Sequence, residues 1–257
     1  MNVRVALAFV VCILVSSPSW ALDLTLPLQQ ELDAYIEGLN NKTGNELAEH
    51  LGKITSSGLS DDTLFDNVRA LLNSKHQALM GIASKDKIII HQVVTMLRTL
   101  ASSGNKEYVS TLTKVMSESK NRAVRNRAKH VITKIDFYRD RNKIMQDLSQ
   151  HVDGQSLHTT RILNLLKHEN LIMSRFAAEE LVREGKADTV VQEWLAQRLA
   201  SRVHQLDDKL EIDTFAWYAK VLGTVNKAKY ADLLKGLIND KSVDYKIRRH
   251  AKKILKS

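Results

Sequence analysis

Cysteine is nearly missing from this 257-residue chain: the only one, Cys12, lies in an apolar run close to the N-terminus. With that segment set aside, disulfides, thiolate nucleophiles and cysteine-ligated metals are all excluded. Proline occurs only at Pro18 and Pro27, so nothing after Leu28 forbids a helix interior. Aromatics make up 5% of the residues, and Trp194 and Trp217 are the only tryptophans after Trp20. Grooves for single-stranded nucleic acid interleave aromatic and basic side chains because bases stack on the rings. That interleaving is missing here, and nucleic acid is not an expected partner.

Long hydrophobic runs are scarce as well. The one present, Val5 to Val15, follows Arg4 and leads to Ser19-Trp20-Ala21, the small residues that a signal peptidase reads. A spanning helix needs roughly 20 apolar residues, and Ser16, Ser17 and Pro18 end this run early. Residues 1–21 therefore read as a signal peptide cleaved after Ala21. Val11 stands before Cys12 where a lipoprotein signal carries a small residue, so lipid anchoring is not expected. A cysteine-free exported chain of this size fits a bacterial periplasm. The sequon Asn41-Lys42-Thr43 points weakly to secretion, the alternative.

Acidic residues are outnumbered. The 38 Lys and Arg less Arg4 leave 37 against 29 Asp and Glu, a formal net charge of +8 for residues 22–257. An acidic or anionic partner is the inference, set against the simpler reading that basic charge keeps the protein soluble.

Glycines punctuate stretches whose apolar residues recur at three and four, and no convincing alternating strand interrupts them. Even Ile88-Ile89-Ile90 continues through Val93, Val94, Leu97 and Leu100 as a buried helix would. The pattern predicts an all-α domain over 22–257 with twelve to thirteen helices. Six pairs are expected: 28–40 with 45–56, 62–80 with 86–102, 107–117 with 122–135, 157–167 with 171–184, 189–205 with 210–222, and 229–239 with 245–256. An extra helix, 138–151, stands between the third and fourth.

The chain also repeats itself. Tyr108, Leu112, Val115 and Met116 find counterparts in Tyr230, Leu234, Leu237 and Ile238. Beyond a polar turn, Val124-Arg125, Ala128, Val131 and Ile132 are matched by Ile247-Arg248, Ala251, Ile254 and Leu255. Met173, Ala177 and Leu181 fit the same template with Ser174 in place of the arginine, and Phe215, Ala219 and Leu222 fit it more loosely. These second helices resemble those of the HEAT/armadillo-like helical repeats, closely over 106–257 and only permissively over 28–102. The resemblance implies an α-solenoid of stacked helical hairpins whose second helices line a concave face. Physically, one hairpin cannot bury its apolar face alone, so stacking follows.

No catalytic signature is present. The nine histidines show no metal-ligand spacing, no nucleophile elbow or phosphate-binding glycine loop occurs, and no cofactor or metal is expected. Glu179-Glu180 and Asp207-Asp208 diverge by about 100° on a helix and read as surface charge. His151 and His158, flanking a loop at Asp153-Gly154, read as solvated. Trp194 with Phe215, Trp217 and Tyr218 is either an anchor pocket or core.

Basic residues concentrate in two second helices. Arg122, Arg125 and Lys129 form one stripe, and Arg248, Lys252 and Lys256 form another beside Arg249. The partner-binding candidates are Arg122, Arg125, Lys129, Arg248, Arg249 and Lys252. The resemblance sets a structural role beside this for Arg125 and Arg248, pairing with Glu118 or Asp240 near the turn. The expected function is a non-enzymatic periplasmic scaffold that binds an acidic protein segment or an anionic envelope component. The alternatives are a periplasmic immunity or inhibitor protein, and a helical hydrolase or lyase acting on envelope polysaccharide. The latter calls for a carboxylate and a histidine meeting across helices.

Overall fold

In the computed structural model residues 24–81 and 86–256 are described, and the expected signal peptide lies outside them. Among the described residues there are thirteen α-helices and no strand. The first three pairs are α1 (Thr25–Asn41) with α2 (Gly44–Ser57), α3 (Asp62–Gly81) with α4 (Lys87–Ser102), and α5 (Val109–Glu118) with α6 (Arg122–Ile132). α7 (Ile135–Met145) stands between the halves. Then come α8 (Leu157–Lys167) with α9 (Leu171–Glu184), α10 (Thr189–Arg202) with α11 (Lys209–Val225), and α12 (Lys227–Asn239) with α13 (Tyr245–Lys256).

Local chemistry sets many of the boundaries. Asp86, Asn121, Ser156, Asn170, Asp208 and Asn226 each accept a hydrogen bond from a backbone N–H in the first turn of the helix that follows. Asp208 is thus an N-cap and not plain surface charge. α1 starts at Thr25, ahead of the expected Leu28, because Pro27 falls in the first turn, where an N–H has no intrahelical acceptor to lose. The helix expected to run to Ile135 stops at Ile132, where Thr133 Oγ1 bonds back to the His130 carbonyl at 2.8 Å. α7 stops at Met145, well short of His151, and Asp147 turns the chain by accepting from Ser149 N at 3.1 Å.

Second helices pack on second helices: α2 on α4, α4 on α6, and then α9 on α11 and α11 on α13. First helices do likewise, α1 on α3 and α10 on both α8 and α12. The two repeat copies bury the same positions. Tyr108, Leu112 and Val115 are buried, as are Tyr230, Leu234 and Leu237. Ala128, Ala177, Ala219 and Ala251 are all fully buried, and their small side chains let neighbouring helices approach.

Two apolar clusters result, one from Leu39 to Tyr138 and one from Met145 to Ala251, and Phe137 packs against both. α7 joins them. It is seated on the turn glycines that follow α2 and α4: a Cβ on Gly104 would meet the Arg139 backbone at 2.5 Å, and one on Gly58 would meet Met145 at 2.8 Å. Both glycines also have φ above +70°, so the turn and the close approach demand the same residue. From this seat α7 bonds to the ends of α2 and α4. Arg141 donates to the carbonyls of Thr55 and Ser102, Asn142 to those of Leu59, Ser102 and Ser103, and Gln146 to that of Gly58.

Candidate functional site

The six sequence candidates divide into two kinds. Arg125 Nη1 donates to the carbonyls of Ser119 at 3.0 Å and Lys120 at 2.7 Å, and Arg248 Nε donates to that of Val243 at 3.0 Å. These arginines bind the turn between paired helices through main-chain oxygens; Arg125 makes no ion pair with Glu118 among the described residues, while the Ser242 hydrogen bonds, joined by Arg248, hold the Asp240 carboxyl below its ordinary range. A helix end leaves carbonyls without partners, and a fork of N–H donors one turn away meets that need directly. Ser174 stands at the equivalent position of α9, and its hydroxyl bonds to the carbonyls of Leu165 and Leu166. The exchange of Arg for Ser therefore keeps the job and changes the reach.

Arg122, Lys129, Arg249 and Lys252 are exposed and, among the described residues, make no ion pair. Neither α6 nor α13 contains an acidic residue, while α13 carries six Lys and Arg. Tyr245, 66% exposed, lies under the guanidinium groups of both Arg248 and Arg249 at 5.9 Å. His250 on the same helix is held below the usual histidine range chiefly by burial, with Arg249, Lys220 and Lys246 adding to the effect and Asp213 opposing it. α6 belongs to the N-terminal cluster and α13 to the C-terminal one, so each basic stripe stands on its own half.

Two clefts adjoin each other between α8 and α10. The first, about 330 Å³, is also bounded by α9 and α11 and is lined by Trp194, Phe215 and Tyr218 together with Lys167, Arg198, Arg202, Glu169 and Glu211. The second, about 350 Å³, shares Lys167 and Trp194 with it and adds Gln150, Val152, Gln197 and Val190. The expected aromatic group is thus both core and pocket: Phe215 and Tyr218 are buried yet line the cleft, Trp194 stacks edge-on against Tyr218 at 6.0 Å, and burial pushes the Tyr218 phenol up to about 12. Trp217 lies outside it, under Lys220 Nζ at 4.2 Å. Lys167, Arg198 and Arg202 were not among the sequence candidates. The signal was the spacing of four from Trp194 through Arg198 to Arg202 on a first helix.

Glu180 overturns the reading of Glu179-Glu180 as surface charge. It is 4% exposed on α9 and gathers Arg98 of α4 at 3.6 Å, Arg183 of its own helix, and the Ser56 hydroxyl of α2 at 3.1 Å. A buried carboxylate requires such partners. It thereby ties the second helices of one half to the first hairpin of the other.

The histidine loop is also more engaged than expected. His151 Nδ1 meets Thr160 Oγ1 at 2.7 Å, and His158 Nε2 meets Glu184 Oε2 at 3.2 Å across α8 and α9. The carboxylate and histidine that an acid–base mechanism asks for therefore do meet. The pair lines neither cleft and lies beside a buried polar group in which Arg161 Nη1 donates to Glu31 Oε1 at 2.8 Å. Burial and Glu31 hold the Tyr35 phenol there well above its ordinary range.

No family model and no curated relative matches the chain. Among the described residues, no three of His, Cys, Asp and Glu gather to hold a metal ion, and no helix is long and apolar enough to cross a membrane.

Proposed function

We propose that the protein is an exported, non-enzymatic scaffold, a HEAT-like α-solenoid that binds an acidic protein segment. The observation that carries this reading is α13. Arg249, Lys252 and Lys253 are exposed on a helix with no acidic residue, and the first two have no ion-pair partner among the described residues. Such charge raises the local concentration of anionic partners and their rate of encounter. Arg122 and Lys129 on α6 form a second, separate basic stripe on the other half, while Arg125 and Arg248 hold the turns that position both helices. The solenoid reading is supported by the stacking of like helices and by the equal burial of the two repeat copies.

The test is a salt-dependent pull-down from the envelope fraction, comparing residues 22–257 with a Lys129→Glu, Arg249→Glu, Lys252→Glu variant. Capture of one acidic protein by the native chain alone, weakening as salt rises, is the expected result. Equal capture by both removes the basic helices from the site. Capture of an anionic glycan or lipid instead replaces the protein partner with an envelope component.

A second reading has one specific observation in its favour, the His158–Glu184 contact at 3.2 Å. A hydrolase or lyase using that pair would lose polysaccharide cleavage in His158→Ala, and a native chain that cleaves nothing removes it.

A further inference from the structure

α10 presents Trp194, Arg198 and Arg202 along one stripe, four residues apart, over the joined clefts between α8 and α10. Four residues of helix advance about 6 Å along its axis. An extended peptide places alternate side chains about 6.6 Å apart on one side. The two repeats match, so an extended chain laid along α10 sets residues i, i+2 and i+4 over Trp194, Arg198 and Arg202 in turn.

The side chains say what those three residues are. Trp194 is half-buried against Tyr218, beside the buried Phe215, and offers an aromatic wall to a large apolar side chain. Arg198 and Arg202 make no ion pair among the described residues, and Arg202 Nε is buried with no acceptor. Neither guanidinium is neutralised from within the described residues, so both are left to pair with carboxylates of a ligand in the cleft. Glu169 and Glu211 line the first cleft too, where Lys167, Arg198 and Arg202 outnumber them, and Glu193 of the second cleft is paired with Lys229 at 3.4 Å.

We propose that this trough is the recognition site for an extended peptide of the form apolar-x-acidic-x-acidic, or its reverse: the apolar residue sits against Trp194 and the two carboxylates take Arg198 and Arg202. The inference rests on the reading that the partner is an acidic protein segment, and adds where and by what spacing it is read. The exposed Val152 and Val190 and the amides of Gln150 and Gln197 continue the trough beyond Trp194 for flanking residues.

The test uses residues 22–257 and a fluorescein-labelled peptide, Gly-Ser-Phe-Ser-Glu-Ser-Glu-Ser-Gly, with its reverse and an isomer whose two Glu directly follow the Phe. Fluorescence anisotropy is followed at several salt concentrations. The expected result is binding of the alternating peptide or its reverse, weaker by about tenfold or more for the isomer and for Arg198→Glu/Arg202→Glu. Arg198 is exposed and Arg202 half-buried, and circular dichroism verifies that the variant folds. Binding of the isomer as tightly as the alternating peptide overturns the spacing rule.

Arg249→Glu/Lys252→Glu separates the two ideas. If it abolishes peptide binding while the α10 variant binds normally, the trough is not the site and the scaffold reading stands on α13. If none of the three peptides binds while an acidic protein is still captured from the envelope, the inference fails alone. An acidic oligosaccharide that binds through Arg198 and Arg202 when no peptide does overturns the assignment to a peptide.

Discussion

Arg141 Nη1 on α7 donates to the Thr55 carbonyl on α2 at 2.9 Å, joining positions 86 apart in the chain. Its Nη2 reaches the Ser102 carbonyl on α4, and the guanidinium lies over the Tyr138 ring at 4.7 Å. Among the described residues no carboxylate partners it: carbonyl oxygens at two helix C-termini, where the helix dipoles are negative, and the Asn142 side-chain oxygen, 2.6 Å from Nη2, take that role. Burial lowers its pKa to about 10, with Arg98 and Arg183 adding repulsion.

Arg141→Met is expected to destabilise the fold by about 2–4 kcal/mol, since two buried carbonyl oxygens, of Thr55 and of the Asn142 side chain, lose their donors while the removed charge returns part of its desolvation cost; the Ser102 carbonyl keeps Asn142. Urea unfolding followed by circular dichroism measures this. A loss below about 1 kcal/mol would mean that water satisfies those carbonyls instead.

Glu180→Gln should cost about 2–4 kcal/mol, because it removes the charge that holds Arg98 and Arg183 together but keeps an acceptor for Ser56. As the contact joins the two apolar clusters, the variant's unfolding should also broaden or split into two steps. A single transition at the native midpoint would show that α7 and the Arg161–Glu31 pair suffice to hold the halves together.

Much of the fold was legible because helical periodicity is a local signal. α8, α9 and α13 begin and end where the sequence places them, and Ala128 and Ala251 are buried as the repeat requires. What escaped were long-range polar contacts. Nothing near Arg141 announces that its acceptors lie in turns that end at Gly58 and Gly104, and Glu180 differs from Glu179 only in which helix faces it. The same blindness split the basic candidates: Arg125 and Arg248 share a motif with exposed neighbours, yet their forks turn inward to carbonyls. The cleft lay between these extremes. Its aromatics are visible in the sequence, whereas its cations, on a first helix, stand outside the repeat motif of the second helices.

The pH dependence of stability should be set in part by His50 and His76. Burial lowers both pKa values from the ordinary value of 6.5, opposed at His50 by the hydrogen bond to the Tyr35 carbonyl. The unfolded chain then takes up protons before the folded one does. Their contribution is complete above about pH 6.5 and is lost as pH falls through the lowered folded values. His76 Nε2 has no partner, so His76→Leu should raise stability at about pH 5 more than at about pH 7.5 and flatten the profile between them. Urea midpoints across that range decide it, and an unchanged slope would show that His76 remains neutral in both states.

The helical glycines give opposite signs from one substitution. Gly236 on α12 and Gly52 on α2 have nothing within 4 Å of an added Cβ, so Ala should stabilise each helix by about 0.5–1 kcal/mol through backbone entropy alone. Gly223 on α11 is buried against α13, where a Cβ would stand 2.6 Å from Ile254 Cγ2. The gain in helix propensity is the same, but Ile254 must move, and overpacking of this kind costs about 1–3 kcal/mol. Gly223→Ala should therefore lower the thermal midpoint while Gly236→Ala raises it. If both raise it, α13 sits loosely enough to yield, and the basic helix of the proposed binding surface is held chiefly by α12.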